Sequence, residues 1–252
     1  MCNFDQETYD ALFEAGYSIE EINGANTNKS LNDEDMSDSE DSDDSEELPE
    51  DSLEENEISN DENINGNEIL KKVRIKNVNR IMIGSLNINS LPKKFDQLKE
   101  IIAKNLDILT IQETKLDASF PPQQFVLPGY SEPYRLDRNR DGGGVLVYVR
   151  EDIPSKLLNK HNFTKYVEGL FVEINLRKTK LLFFGGYRSD HREYGLSKME
   201  YLEQLCFGLD KYSGYEKVLI AGDFNIDNDD EILQDFLFEQ NLKNLIKEPT
   251  CY

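Results

Sequence analysis

The sequence predicts an α/β domain over residues 69–252 behind an acidic arm, on three observations. From Ile69 onward, short apolar runs alternate with segments of helical periodicity, which is how α/β chains read. Charge divides sharply, since residues 1–68 hold 24 Asp/Glu and one lysine while residues 69–252 hold 27 Lys/Arg and 26 Asp/Glu. No run approaches the ~18 apolar residues of a membrane helix, and Cys2, Cys206 and Cys251 have no pairable spacing. A soluble protein of the nucleus or cytoplasm is expected, neither secreted nor held in a membrane.

The elements follow in chain order. In residues 1–31, "ETYDALFEAGYSIEEI" (7–22) has enough apolar content in Leu12, Phe13 and Tyr17 for a short helical segment. Residues 32–68 are an acidic linker with almost nothing to fill a core, and mutual repulsion predicts disorder. Such a stretch either engages basic proteins or stands as a solvated tail. Strands are predicted at 80–88, 107–113, 144–150, 167–176, 180–187 and 217–224, and helices at 94–105, 197–212 and 229–240. The second helix has Leu202, Leu205, Cys206 and Leu209 on one stripe, with Ser197 and Glu200 at capping-box spacing. Cys206 is then a core residue. The third is read as opening at Asn228, with Ile232, Leu233 and Phe236 on its buried side.

Several strands end on polar residues. Side chains two apart share a face of a strand. By that rule Ile81, Ile83 and Ser85 lead to Asn87 and Asn89, and Leu109 and Ile111 lead to Glu113. Leu181 and Phe183 likewise lead to Tyr187, and Leu219 and Ala221 to Asp223 and Asn225. One strand-end Asn or Asp commonly just makes a turn, but four such strands side by side would gather two carboxylates, three amides and a phenol. Oxygen ligands of this kind suit Mg²⁺, which keeps several waters and takes one or two carboxylates. The cation would offset the cost of burying Glu113 and Asp223, and amide and phenol donors suit phosphate oxygens.

The motifs "SLNINSL" (85–91), "IQETKLD" (111–117), "GGGVLVYVRED" (142–152), a Tyr at 187 and "LIAGDFN" (219–225) occur in this order. In that order they resemble the endonuclease/exonuclease/phosphatase superfamily. With "GYSEPYRLDRNRDGGG" (129–144) and "NLIKEPTCY" (244–252), the chain looks most like the apurinic-endonuclease-like domains of non-LTR retrotransposons. The resemblance implies a DNase I-like fold, a two-sheet β-sandwich flanked by helices, and hydrolysis of phosphodiesters in DNA with Mg²⁺ or Mn²⁺. It implies that Glu113 ligates the metal with Asn89 nearby, where many relatives have Asp. Asn87 would position that carboxylate and the phosphate, Tyr187 and Asn225 would contact the phosphate, and Asp223 would orient or deprotonate the attacking water.

The chain departs from the family in a second respect. Relatives continue through two more strands to a Ser-Asp-His motif, and an impaired site is the expectation where that motif is missing. Ser189-Asp190-His191 directly follows Tyr187 and precedes "GDFN", so it is read as a turn, and His161 as a surface residue. "KKVRIK" (71–76) and Arg135, Arg138 and Arg140 are candidate contacts to a nucleic-acid backbone. Two other functions compete with a DNA-nicking endonuclease: a phosphatase or phosphodiesterase acting on a small phosphate ester, and an inactive remnant that binds partners through its acidic arm.

Overall fold

A computed structural model describes residues 66–159, 167–177, 179–190 and 195–246. The helical segment read in 1–31, most of the acidic linker, His161, His191 and the last six residues lie outside them.

In chain order the elements are α1 (Gly66–Lys76), β1 (Ile83–Asn87), α2 (Leu91–Ile102), β2 (Ile108–Gln112), a 3₁₀ turn (Pro122–Phe125) and β3 (Tyr134–Leu136). There follow β4 (Val145–Val149), β5 (Ser155–Asn159), β6 (Glu168–Leu176), β7 (Thr179–Tyr187), α3 (Lys198–Lys211), β8 (Lys217–Asp223) and α4 (Glu231–Glu239). They form two mixed sheets flanked by helices, in the orders β1-β2-β4-β3 and β5-β6-β7-β8. In the first, β1 and β2 are parallel and the other pairings antiparallel. The second is arranged alike, with β7 and β8 parallel. A parallel pair needs a crossover. Helix α2 supplies it for β1 and β2, and α3 for β7 and β8.

Three apolar layers explain why the strands read as continuous runs, since strands covered on both faces need no polar alternation. Between the sheets, Ile108, Val145, Val147 and Val149 meet Leu170, Val172, Ile174, Leu181 and Phe183. The alternate residues of the first sheet, Leu86, Leu109, Ile111, Leu146 and Tyr148, pack with Leu70 of α1 and Leu98, Ile101 and Ile102 of α2. On the far side of the second sheet, Phe171, Leu182 and Phe184 meet Tyr201, Leu202, Leu205 and Leu209 of α3 and Phe236 of α4. Cys206 packs at the margin of this last layer, as its helical spacing predicts. Where β7 and β8 pair at Gly186 and Gly222, a Cβ on Gly222 would lie 2.0 Å from the Gly186 carbonyl oxygen, so only glycine fits.

Some boundaries differ from the sequence reading. Helix α1 starts at Gly66, inside the stretch read as linker. Helix α2 starts at Leu91 rather than residue 94, because Pro92 is already suited to a first helical turn. Helix α4 is capped by Asp230, whose side chain accepts from the Ile232 N–H, and not by Asn228. Strands β3 and β5 escaped notice because they are short and carry no marked alternation. Ser197 and Glu200 do form both halves of a capping box on α3. Ser197→Ala is expected to cost about 1 kcal/mol, read as a lower urea midpoint at unchanged slope. An unaltered midpoint would show that the cap contributes nothing.

Of the basic residues proposed to meet nucleic acid, the four arginines are paired within the fold, while Lys71, Lys72 and Lys76 are exposed on α1. Arg74 pairs with Asp107 at 2.8 Å and donates to the Asn105 and Arg80 carbonyls. Arg135 pairs with Asp137, Arg138 with Glu168 and Arg140 with Asp117. These pairs join residues distant in sequence or set at a turn, which the local pattern of basic residues did not reveal. Among the described residues, no helix is long and apolar enough to cross a membrane.

Candidate active site

The parallel pairs deliver the strand-tip residues to one edge of the sandwich, where β1 and β2 meet β7 and β8. Asn87 stands at the end of β1, and its side-chain nitrogen donates to Glu113 Oε1 at 3.0 Å and to Asp223 Oδ2 at 2.8 Å. One amide NH₂ has two hydrogens, so a single group bridges both acids. Tyr187, at the end of β7, donates its hydroxyl to Glu113 Oε1 at 3.0 Å. Two acids from separate sheets thus share one amide, and the lengths of its two bonds bound how far apart their oxygens stand.

Alternation puts Asn87, Tyr187 and Asp223 on the inner faces, but it is the wrong reason for Glu113. Leu109 and Ile111 face the α2 layer, whereas Ile108 faces the opposite sheet. Strict alternation would therefore point Glu113 at the helices. Its φ of 50° breaks the alternation just past β2, and the carboxylate meets Asn87 and Tyr187 on the inner side instead. Asn89 (46°), Ser90 (94°), Lys115 (53°) and Asn225 (49°) also have left-handed backbone. A non-glycine residue held there costs of order 1–3 kcal/mol, and such strain concentrates at functional sites.

The surroundings set the charge states. Burial, first, and then the nearby charge of Glu113 push the Asp223 carboxyl above its ordinary range, while donation from Asn87 and from the Asn225 N–H partly offsets this. Burial and the Glu113 charge push the Tyr187 phenol up, which keeps it a donor. Asn225 holds Asp223 through its backbone N–H at 3.2 Å, but its side chain turns away to the Arg188 carbonyl at 2.7 Å. Asn89 also reaches the acids indirectly. Its side-chain oxygen accepts from Lys115 Nζ at 2.5 Å, and that ammonium lies 3.9 Å from Glu113 Oε2.

Three residues here, Lys115, Arg188 and Glu168, were not singled out in the sequence for the part they play. Lys115 lies two residues beyond Glu113, within a quoted motif. Arg188, nearly buried, ties the β8 loop by donating to the Phe224, Leu196 and Asn225 carbonyls. In the Ser189-Asp190 stretch beside it, Asp190 pairs with Arg188. Glu168 lies opposite Tyr187 in the β6–β7 ladder and pairs with Arg138. A charged residue opening an apolar strand was the available signal for Glu168.

The donor set fits a hard cation. Among the described residues, no group of three or more His, Cys, Asp and Glu converges as a metal cage. Two carboxylates flanked by amides and a phenol suit Mg²⁺, which retains much of its water.

Residues 84–247 match the Endonuclease/Exonuclease/phosphatase family. Among solved structures, the chain is similar to the catalytic domain of human Nocturnin, at 14% identity over 62% of this chain and 67% of that one, with a TM-score of 0.48. It is similar to a mannosyl-6-phosphatase of Bacteroides thetaiotaomicron, at 14% identity over 62% and 70% of the two chains, TM-score 0.46. A 3′-5′ exonuclease of Neisseria meningitidis aligns at 23% identity over 57% of each chain, TM-score 0.40. No curated protein sequence matches the chain.

Proposed function

The chain belongs to the endonuclease/exonuclease/phosphatase family, and from that premise we propose that it is a Mg²⁺-dependent phosphodiester hydrolase that nicks DNA. The observation that carries the reading is the Asn87 amide bridging Glu113 and Asp223, with Tyr187 bonded to the first acid. Its motifs resemble the apurinic-endonuclease-like domains of non-LTR retrotransposons, and DNA is accordingly the substrate named.

Glu113 would hold Mg²⁺ or Mn²⁺, with Asn89 beside it. When bound, the cation would supply charge stabilisation to the phosphoryl oxygens. Asp223 receives the proton of the attacking water, a role suited to a carboxylate whose affinity for protons is raised by burial. For Asn87, Tyr187 and Asn225 to donate to the phosphate as negative charge develops on it, their bonds to Glu113, Asp223 and the Arg188 carbonyl exchange for bonds to its oxygens. The cysteines, without pairable spacing, support a nuclear or cytoplasmic setting.

The test is relaxation of supercoiled plasmid by the purified chain. Nicking is expected with Mg²⁺ or Mn²⁺, abolished by EDTA and restored by excess metal. Intact plasmid with either cation would overturn the reading. Cleavage of a small phosphate ester with no nicking would instead favour a phosphatase. Tyr187→Phe is expected to lower kcat about 10- to 100-fold, the value of a hydrogen bond to a charged group, with little change in KM. A tenfold rise in KM at constant kcat would place Tyr187 in ground-state binding instead.

A further inference from the structure

Glu113 has left-handed backbone, so something must hold it there. Two backbone hydrogen bonds do so directly: the Thr114 N–H donates to the Gly144 carbonyl at 3.3 Å and the Lys115 N–H to the Gly143 carbonyl at 3.0 Å. The loop that aims Glu113 therefore hangs on the glycine turn that opens β4.

That turn is clamped in its own right. The Gly144 N–H donates to Glu168 Oε2 at 2.5 Å. Arg138 Nε donates to the Gly142 carbonyl at 2.9 Å and Arg138 Nη1 to Glu168 Oε1 at 2.6 Å. The fit leaves no slack. Gly143 and Gly144 have φ of 67° and 90°, and a Cβ on Gly143 would lie 2.3 Å from Arg138, or on Gly144 2.3 Å from Thr114 Oγ1. The same pair borders the other support of Glu113. Glu168 sits opposite Tyr187 in the β6–β7 ladder, and the Arg138 guanidinium lies 5.9 Å from the Tyr187 ring centre.

We propose that the Arg138–Glu168 pair is a positioning unit that sets the orientation of Glu113 toward its cation, acting through the glycine turn beneath it and Tyr187 beside it. The proposal rests on the hydrolase reading. A salt bridge of this kind could equally serve the fold alone, so a melting point cannot separate the two roles. Metal affinity can, because a purely stabilising pair leaves it unchanged in the folded protein. Groups that orient a metal-binding carboxylate typically matter 10- to 100-fold in affinity or activity.

The experiment titrates Mn²⁺ into the full chain by calorimetry, for wild type, Glu168→Gln and Arg138→Lys, with plasmid nicking measured in parallel. Glu168→Gln is expected to weaken Mn²⁺ binding and to lower kcat 10- to 100-fold each, with KM for plasmid within twofold of wild type. Arg138→Lys keeps the charge but loses the fork of the guanidinium, so a smaller loss in the same two quantities is expected; it carries the test should Glu168→Gln fail to fold. Variants that bind Mn²⁺ and turn over like wild type, and merely melt earlier, would overturn the proposal and leave the hydrolase reading intact. A wild type that binds no Mn²⁺ and does not nick would overturn both.

Discussion

Asp223→Asn is expected to lower the nicking rate by about 10²–10⁴-fold, the range for loss of a general base, while Glu113→Ala removes metal-dependent nicking altogether. The asparagine keeps an oxygen for the Asn87 amide and nearly the same volume, and gives up the acceptor of the Asn225 N–H, so the change acts on proton transfer and that one bond rather than on packing. The stability of the same variant should move the opposite way. In the folded chain the Asp223 carboxyl binds its proton more tightly than usual, chiefly because of burial. Such a group stabilises the fold below its unfolded pKa, and that contribution is lost as pH rises through the carboxylate range toward the raised value. At neutral pH the charge therefore works against folding, and Asp223→Asn is expected to melt no lower than wild type. Inactivity with an unchanged or higher melting point would mark a residue kept for chemistry. Nicking at the wild-type rate in both variants would mean that the activity comes from elsewhere.

Asp107→Ala is expected to have the largest effect on stability, about 3–5 kcal/mol, which is typical of breaking a buried charge pair from one side. The Asp107 side chain is only 2% exposed. It pairs with Arg74 at 2.8 Å, pairs with Arg150, and accepts the Met82 N–H at 2.7 Å. Alanine would leave one buried N–H without its acceptor and take from both guanidinium groups their shared carboxylate, with Arg74 keeping the Asn105 and Arg80 carbonyls and Arg150 keeping Asp152. It would also remove one of the bonds by which Arg74 ties α1 to the first sheet. A fall in melting temperature on the order of 10 °C follows for a domain of this size. Asp107 precedes β2 whereas Glu113 follows it, so metal affinity below the melting transition should be retained. A loss of affinity in well-folded protein would contradict that separation.

Much of this arrangement was legible in the chain because it follows from short-range rules. Apolar runs on β2, β4, β6 and β7 announced strands covered on both faces, and the Leu202, Leu205 and Leu209 stripe announced α3. Asn87, Tyr187 and Asp223 could be placed at strand tips on the inner side because period-two alternation holds up to those residues. For Glu113 alternation misleads, since its orientation depends on a left-handed φ held by hydrogen bonds that the next two residues donate to the carbonyls of Gly144 and Gly143, some thirty residues away. Arg74 and Arg138 looked like free basic groups because their partners, Asp107 and Glu168, lie far along the sequence.

The residues alone thus indicated an α/β domain and which polar groups stand near strand ends, since hydrophobic periodicity is a local property, while the two-sheet layering followed from the resemblance of the motifs. Only the folded chain decided that one amide bridges two acids, that Glu113 turns inward, and which cations are already neutralised. Those outcomes rest on contacts between segments remote in sequence, where strain at one residue is balanced by bonds from another.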